Sequence, residues 1–390
     1  MLSCLCVVGS RDDEDFPPDA SSVGKWRGQS AAAIDAQIAW ERASVLYRDS
    51  PLFRSGAFQA GDVSQGHVGN CWLIAAFIVL MQREPEVIKR AFLTQKSVRG
   101  RWRIRIFDRL ADDWVIVSVD DHIPVVRQTR QPVFARSLKR DVWMLLLEKA
   151  IAKFVGTYAQ LDGGHTAWAL NALTGEPVFR LKRYDFADGA WRRLDATCTM
   201  KPGASRTHMG FVASAAAYDS DAAFLLVKAY CRRRAHLGAS FGALPSDGSG
   251  IGHHSYGAEG LPTWYGLLGG HAYSVLDVQL FKFYNGKQLK LIKLRNPWGE
   301  PRWQGAWANG ADEWTEHGWV REVCKPLGLR HDDGCFWMEW LEFSRVFDKL
   351  DVCAPPGLFN SFKGESGAFA VADERKDATG SSSIVWRWIS

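Results

Sequence analysis

Leu73–Met81 is an unbroken apolar run, and with Cys71 and Trp72 ahead of it predicts a core helix over Cys71–Gln82, with Pro85 beyond its end. Val142–Phe154 predicts a second helix of strong propensity. Trp102–Phe107 and Trp114–Val119 alternate polar with apolar or β-branched residues, so they predict two strands joined by a loop at Asp108–Asp113. Ala31–Tyr47 has helical composition and stops at Asp49-Ser50-Pro51. In the second half, His271–Phe281 and Gln288–Arg295 predict paired strands around Tyr284-Asn285-Gly286, because Asn-Gly is a strong hairpin signal. Phe336–Trp340 predicts a last strand and Glu342–Asp348 a short helix. Val212–Tyr218 and Ala222–Tyr230 leave helix and strand open, and a Gly/Ser-rich stretch follows through Gly250.

Composition narrows this picture without changing it. At 390 residues the chain can bury a large core, and its length favours two lobes over one. The 18 tryptophans cluster near glycines in the second half, as in aromatic-rich β structure. A net charge of +5 is a mild excess and does not call for nucleic acid; Arg232-Arg233-Arg234 reads as a solvated turn or helix end. No apolar stretch reaches bilayer-spanning length, so no transmembrane segment is expected. The 8 cysteines are scattered, without zinc-site or disulfide-scaffold spacing, which places the chain in a reducing, cytoplasmic setting. Met1–Ser10 lacks the basic start of a signal peptide, and Leu2 excludes myristoylation; Cys4 and Cys6 read as idle thiols of a frayed terminus.

The chemistry begins at Gln65-Gly66-His67-Val68-Gly69-Asn70-Cys71-Trp72. Glycines before a cysteine at a helix start place Cys71 where backbone N–H groups and the helix dipole favour thiolate. An isolated cysteine in an apolar run is more often a small core residue. Residues far downstream change that balance. Gly269-Gly270-His271 supplies an imidazole and Arg295-Asn296-Pro297-Trp298 an asparagine followed by a tryptophan. Cys, His and Asn in that order, with Gln ahead of the Cys, is the papain-type arrangement. Hairpin geometry links the last two independently. A tight turn at Asn285-Gly286 leaves His271 opposite Glu300, whereas a four-residue loop over Lys282–Asn285 places it opposite Asn296. Both registers put His271 and Asn296 on one face, and only the longer loop gives hydrogen-bonding reach, so that register is expected.

These motifs, with Trp143–Ala150, Gly156-Thr157-Tyr158, Gly163-Gly164, Leu173-Thr174-Gly175 and Asp332–Met338, resemble the protease core of the calpain family of calcium-regulated cysteine proteases from about Asp15 to Cys353. The resemblance implies an α+β, two-lobed papain-like core with the cleft between a helical first lobe and a β-rich second lobe. It implies a polar lead-in over 1–28, a first lobe with Cys71 over 29–165, a second lobe with His271 and Asn296 over 166–355, and a flexible tail over 356–390. Gly163-Gly164 becomes a hinge candidate, and the long Cys71–His271 separation places an insertion within about 180–260. The activity implied is calcium-dependent endoproteolysis of intracellular proteins. Cys71 would be the nucleophile, His271 the base and later acid, Asn296 the group orienting the imidazole, Gln65 an oxyanion donor, and Trp298 a shield over the His–Asn bond.

The same resemblance implies a calcium site in each lobe. The first-lobe positions are Asp62 and Asp141 as carboxylates, with Ser55 and Ala57 supplying carbonyls, a donor set suited to a hard cation. The second-lobe positions are Arg302, Asn309, His331, Asp333 and Cys335, where the lost carboxylates predict an absent or weak site. Asn70 stands where the family has Asp, and no EF-hand loop occurs. Asp120-Asp121-His122 and His253-His254 raise metal hypotheses, but a solvated strand end and loop histidines are expected instead. Two other functional classes compete. One is a calpain-like scaffold or regulator with lobes that no longer close; the other is a papain-type transferase such as a transglutaminase, against which Asn296 speaks.

Overall fold

The computed structural model describes residues 13–48, 50–53, 58, 62–97, 99–137, 139–184, 189–198, 205–242, 254–256, 262–300, 303–324, 333–359, 369–376 and 382–389. Its central element is helix α1 (Cys71–Arg83), whose residues from Cys71 to Met81 are all buried. A helix apolar on every side needs partners all round it. Strands β1 (Arg101–Asp108) and β2 (Asp113–Asp120) form a regular hairpin, followed by helix α2 (Trp143–Val155) and helix α3 (Thr166–Thr174). Helices α1 to α3 form the centre of one apolar cluster, which includes Trp72, Phe77, Trp143 and Trp168.

The second half builds a sheet. Its strands are β3 (Val178–Arg183), β4 (Trp191–Thr197), β5 (Gly210–Tyr218), β6 (His236–Phe241), β7 (His271–Lys282), β8 (Gln288–Arg295), β9 (Cys335–Glu339) and β10 (Lys349–Cys353). They lie in the order β9–β8–β7–β6–β10–β3–β4–β5, each neighbour antiparallel. Helix α4 (Ser220–Arg232) covers the sheet and, with Trp191, Trp340 and Phe343, forms a second apolar cluster. Helix α1 packs directly on β6 and β7, so the helix headed by Cys71 and the strand headed by His271 share one interface. The architecture is mixed α and β, with helices and strands interleaved along the chain.

Two expectations are corrected. Ala31–Tyr47 is not one helix: Ala31–Gln37 and Ala43–Leu46 are helical, but Ile38–Arg42 is a strand paired with His122–Val126. β-Branched Ile38 and aromatic Trp40 suit a strand once a partner edge is available. Asp120 is no solvated strand end, being buried beside Lys149 of α2 and bonded to His122. Burial alone would raise its carboxyl, but His122 and Lys149 hold it well below the usual range. Within 356–390, β11 (Phe369–Lys376) pairs antiparallel with β12 (Ser382–Ile389) and parallel with the end of β7. Within the expected insertion, His253 lies outside the described residues, while β5 and α4 settle Val212–Tyr218 as strand and Ala222–Tyr230 as helix.

Candidate active site

The approach to Cys71 is a tight loop. A Cβ at Gly66 would fall 1.6 Å from the Phe134 carbonyl oxygen, so only glycine lets the chain pass there. Asn70 caps the helix through its backbone, its carbonyl accepting from Leu73 at 2.9 Å and Ile74 at 3.1 Å. Its side chain turns away, Nδ2 donating to buried Glu148 at 2.6 Å. Cys71 is thereby fixed as the first helical residue, its sulfur near the N–H groups of Cys71 and Trp72 and that of Ala272 on the neighbouring strand.

The expected thiolate bias meets an opposing effect. Burial pushes the Cys71 thiol up from 9.0 to about 11; the Ala272, Trp72 and Cys71 N–H groups lower it, and Asp162 adds a smaller raising influence. Helix geometry acts in the anticipated direction, but desolvation outweighs it, so burial favours a neutral thiol. Asp162 is held at the site by the Gly69 N–H at 3.2 Å.

His271 and Asn296 meet, though by neither anticipated register. The hairpin turns through three residues, Tyr284-Asn285-Gly286, with Phe283 N–H donating to Lys287 at 2.8 Å and Gly286 at φ 82°. Lys282 then faces Gln288. Continued unchanged, that pairing sets His271 against Gly299 and on the face opposite Asn296. One extra residue in β7 resolves this: Asp277 faces Lys293, but Val275 faces Leu294 and Ser274 faces Arg295, so Leu276 is a β-bulge. Beyond it His271 and Asn296 share a face as diagonal neighbours, and His271 Nε2 lies 2.8 Å from Asn296 Oδ1. Both are buried.

Trp298 and Gln65 complete the frame. The Trp298 backbone N–H donates to Asn296 Oδ1 at 3.0 Å, and its ring centroid lies 5.0 Å from that of His271. Its indole Nε1 donates to Gln65 Oε1 at 2.8 Å, and Gln65 Nε2 donates to the Val68 carbonyl at 2.7 Å. Gln65 N–H donates to Pro297 O at 3.1 Å, so the loop before Cys71 is bonded to the loop after Asn296. Arg295 adds a second link, its buried guanidinium donating to Val63 O and Asp333 O, each at 2.8 Å.

Cys71 and His271 line a single cleft, with Gly69, Gly164 and Ala272 around them. Gly164, expected as a hinge, has a steric reason: a Cβ there would sit 2.4 Å from the Trp72 ring. The far wall, missed in the sequence, is His165, Arg180, His208, Lys349 and Asp351. Arg180 grips Asp351 with two hydrogen bonds of 2.6 and 3.0 Å, while burial and Arg180 push His165 down to about 4. His165 adjoined a noted glycine pair, but Arg180 and Asp351 are brought together from distant strands and left no local signal.

Among the described residues, the expected calcium positions do not assemble a cation's donor set. Asp62 is buried, but Lys139 Nζ lies 2.7 Å from its Oδ1. Asp141 is buried with its N–H bonded to Ser137 Oγ at 2.7 Å, and Ser55 and Ala57 lie outside the described residues. Of the second set, Arg302 and His331 lie outside them too; Asn309 Nδ2 donates to Cys335 O at 2.9 Å, and Asp333 Oδ1 accepts from Cys335 N–H at 2.9 Å. Among the described residues no three His, Cys, Asp or Glu side chains converge. Among the described residues the Lys139 ammonium sits on the Asp62 carboxylate that a calcium ion would need, so these residues as placed do not fit the ion.

The family model described as calpain family cysteine protease matches residues 12–354. The chain belongs to the calpain family. It is 30% identical over 357 residues to the calpain-1 catalytic subunit of Bos taurus, covering 90% of this chain and 43% of that protein. Similarity to the calpain-type cysteine protease ADL1 of Oryza sativa subsp. japonica is also 30%, over 93% of this chain and 15% of that protein. Calpain-5 of Caenorhabditis elegans is 29% identical over 92% of this chain and 52% of its own length. The chain thus spans about half or less of these relatives. No helix among the described residues is long and apolar enough to cross a membrane.

Proposed function

We propose that this calpain-family chain is a cysteine endopeptidase acting on protein substrates by limited proteolysis, with Cys71, His271 and Asn296 as its catalytic set. A papain-like core of two lobes is proposed with it, over 29–165 with Cys71 and over 166–355 with His271 and Asn296; the first apolar cluster continues across that boundary through Ala167–Leu173. The observation that carries the reading is the 2.8 Å bond between His271 Nε2 and Asn296 Oδ1. With that nitrogen holding its hydrogen toward Asn296, the acceptor nitrogen Nδ1 is left for the thiol. As the sulfur bonds to the scissile carbonyl carbon, Nδ1 takes the thiol proton. It returns that proton to the amine when the C–N bond breaks. Water then attacks the thioester, His271 accepting its proton, and the sulfur leaves to be reprotonated.

The oxyanion would be met by the Cys71 N–H and the Gln65 Nε2 hydrogen not given to Val68. A single such donor contributes roughly 3–4 kcal/mol to the transition state. No step is routed through calcium, since among the described residues Lys139 is paired with Asp62. The reduced, intracellular setting is proposed with it, since the described cysteines are all free thiols. The test is labelling by an epoxide thiol-protease inhibitor and cleavage of an unfolded protein substrate. Wild type should label at Cys71 and cleave, and Cys71→Ser should do neither. A wild-type chain that binds calpain substrates without labelling or cleaving establishes the scaffold reading instead, which the raised Cys71 thiol favours.

A further inference from the structure

The bulge at Leu276 decides which face His271 occupies, yet Leu276 has no partner in either neighbouring strand, where the registers pass from Val275 to Asp277 and end at Val275. A bulged residue leaves its backbone polar groups to be satisfied elsewhere. The Leu276 carbonyl accepts from Arg83 Nη2 at 2.8 Å. Arg83 is the last residue of α1, the helix that starts at Cys71. Its other Nη hydrogens reach the Cys231 carbonyl at 2.6 Å, the Ala235 carbonyl at 3.4 Å and the Cys231 sulfur at 2.7 Å, while the buried Nε–H makes no hydrogen bond. Among the described residues this half-buried cation therefore serves backbone oxygens and a thiol, not a carboxylate. A desolvated guanidinium spent on carbonyls is costly unless it fixes geometry.

The apolar pattern of β7 shows what is fixed. Ahead of the bulge, Tyr273 and Val275 join the sheet cluster while Ala272 and Leu276 join the helical one. After it the parity inverts, and Val278 and Leu280 join the sheet cluster. Ser274 Oγ, donating to the Ala75 carbonyl at 2.9 Å inside α1, is a second tie on the same interface.

We propose that Arg83 is a positioning residue for the peptidase reaction: by holding the Leu276 bulge against the far end of α1, it sets His271 against Asn296 and fixes both relative to Cys71. The proposal rests on the endopeptidase reading, and its test separates the two. In Arg83→Met, which keeps bulk and loses every donor, kcat should fall about 10- to 100-fold with KM within about twofold, since the loss is of alignment and not of binding. Arg83→Lys should recover part of kcat, and methylguanidinium should restore activity to Arg83→Ala. If Arg83→Met does not fold, Arg83→Lys decides: unchanged kcat overturns the proposal and a lower kcat at constant KM upholds it. Hydrogen exchange needs no activity. Backbone amides at 274–278 should exchange at least about tenfold faster in Arg83→Met at an unchanged melting temperature. Equal protection, or kcat within twofold of wild type, overturns the proposal. A wild type that neither labels nor cleaves removes the endopeptidase reading instead, and leaves the exchange result to judge the bulge.

Discussion

The protonation of Cys71 is the point at which the local helix chemistry and the packed cleft pull in opposite directions, and a titration separates them. Burial pushes the thiol from 9.0 to about 11. At pH 7.5 only about one molecule in 3,000 then carries thiolate, about 100-fold fewer than for an unshifted thiol. Part of that deficit is offset, because a more basic thiolate is a better nucleophile by roughly tenfold over two pKa units, leaving a net slowing of about tenfold. The assay is iodoacetamide alkylation of wild type from pH 5.5 to 10.5, with Cys71 and exposed Cys198 quantified on separate peptides by mass spectrometry. The Cys71 rate should climb about tenfold per pH unit from pH 7 to 10 without levelling. Stability follows the same sign. A thiol raised in the folded state favours the neutral form, so its contribution is intact below pH 9 and is lost as the pH climbs from 9.0 toward 11, by about 3 kcal/mol. Cys71→Ser should lack that increment, and the difference between the two chains removes the effect of the other buried cysteines. A Cys71 rate that reaches its plateau below pH 7 would refute the reasoning, for it would show that an imidazolium at His271 outweighs burial and that the ion pair exists before substrate arrives.

Two further outcomes follow from buried charges. Burial raises Glu148 from 4.5 to about 8, opposed by the Ala135 N–H and the Asn70 amide, so the folded state favours the neutral acid. Its contribution is full below pH 4.5 and is lost as the pH rises through 8; Glu148→Gln should therefore be more stable than wild type at pH 8 by up to about 5 kcal/mol, with the gap closing near pH 5 in urea titrations. A gap independent of pH counts against the neutral acid. At the Asp62–Lys139 pair, calorimetric titration of wild type with calcium should give no saturable heat and peptidase rates should match in chelator and in calcium, whereas Lys139→Ala should gain affinity; tight binding by wild type contradicts the assignment.

What could be read in the chain was what is written locally. Cys71–Arg83 is apolar on all sides, Arg101–Asp120 alternates around a short loop, and Asn285-Gly286 marks a turn, so helix, hairpin and turn were each legible to within a residue or two. Ile38–Arg42 was not, because its alanine-rich flanks carry helical composition and its strand state depends on the distant edge at His122–Val126. The candidate site divides the same way. The order Cys71, His271, Asn296 names the chemistry, and the expected bond between the last two is present at 2.8 Å. The reason for that bond was hidden, since the turn supplies the wrong parity and Leu276, which corrects it, looks like any other apolar residue in a strand. Lys139 likewise reads as one surface cation among 48 basic residues until Asp62 is found beside it. A hairpin carrying two reacting groups has only two relative facings, and a single bulge exchanges them. The proposed catalytic geometry therefore depends on what stabilises one unpaired residue five positions from His271, and the group that does so, Arg83, comes from the end of the helix headed by Cys71.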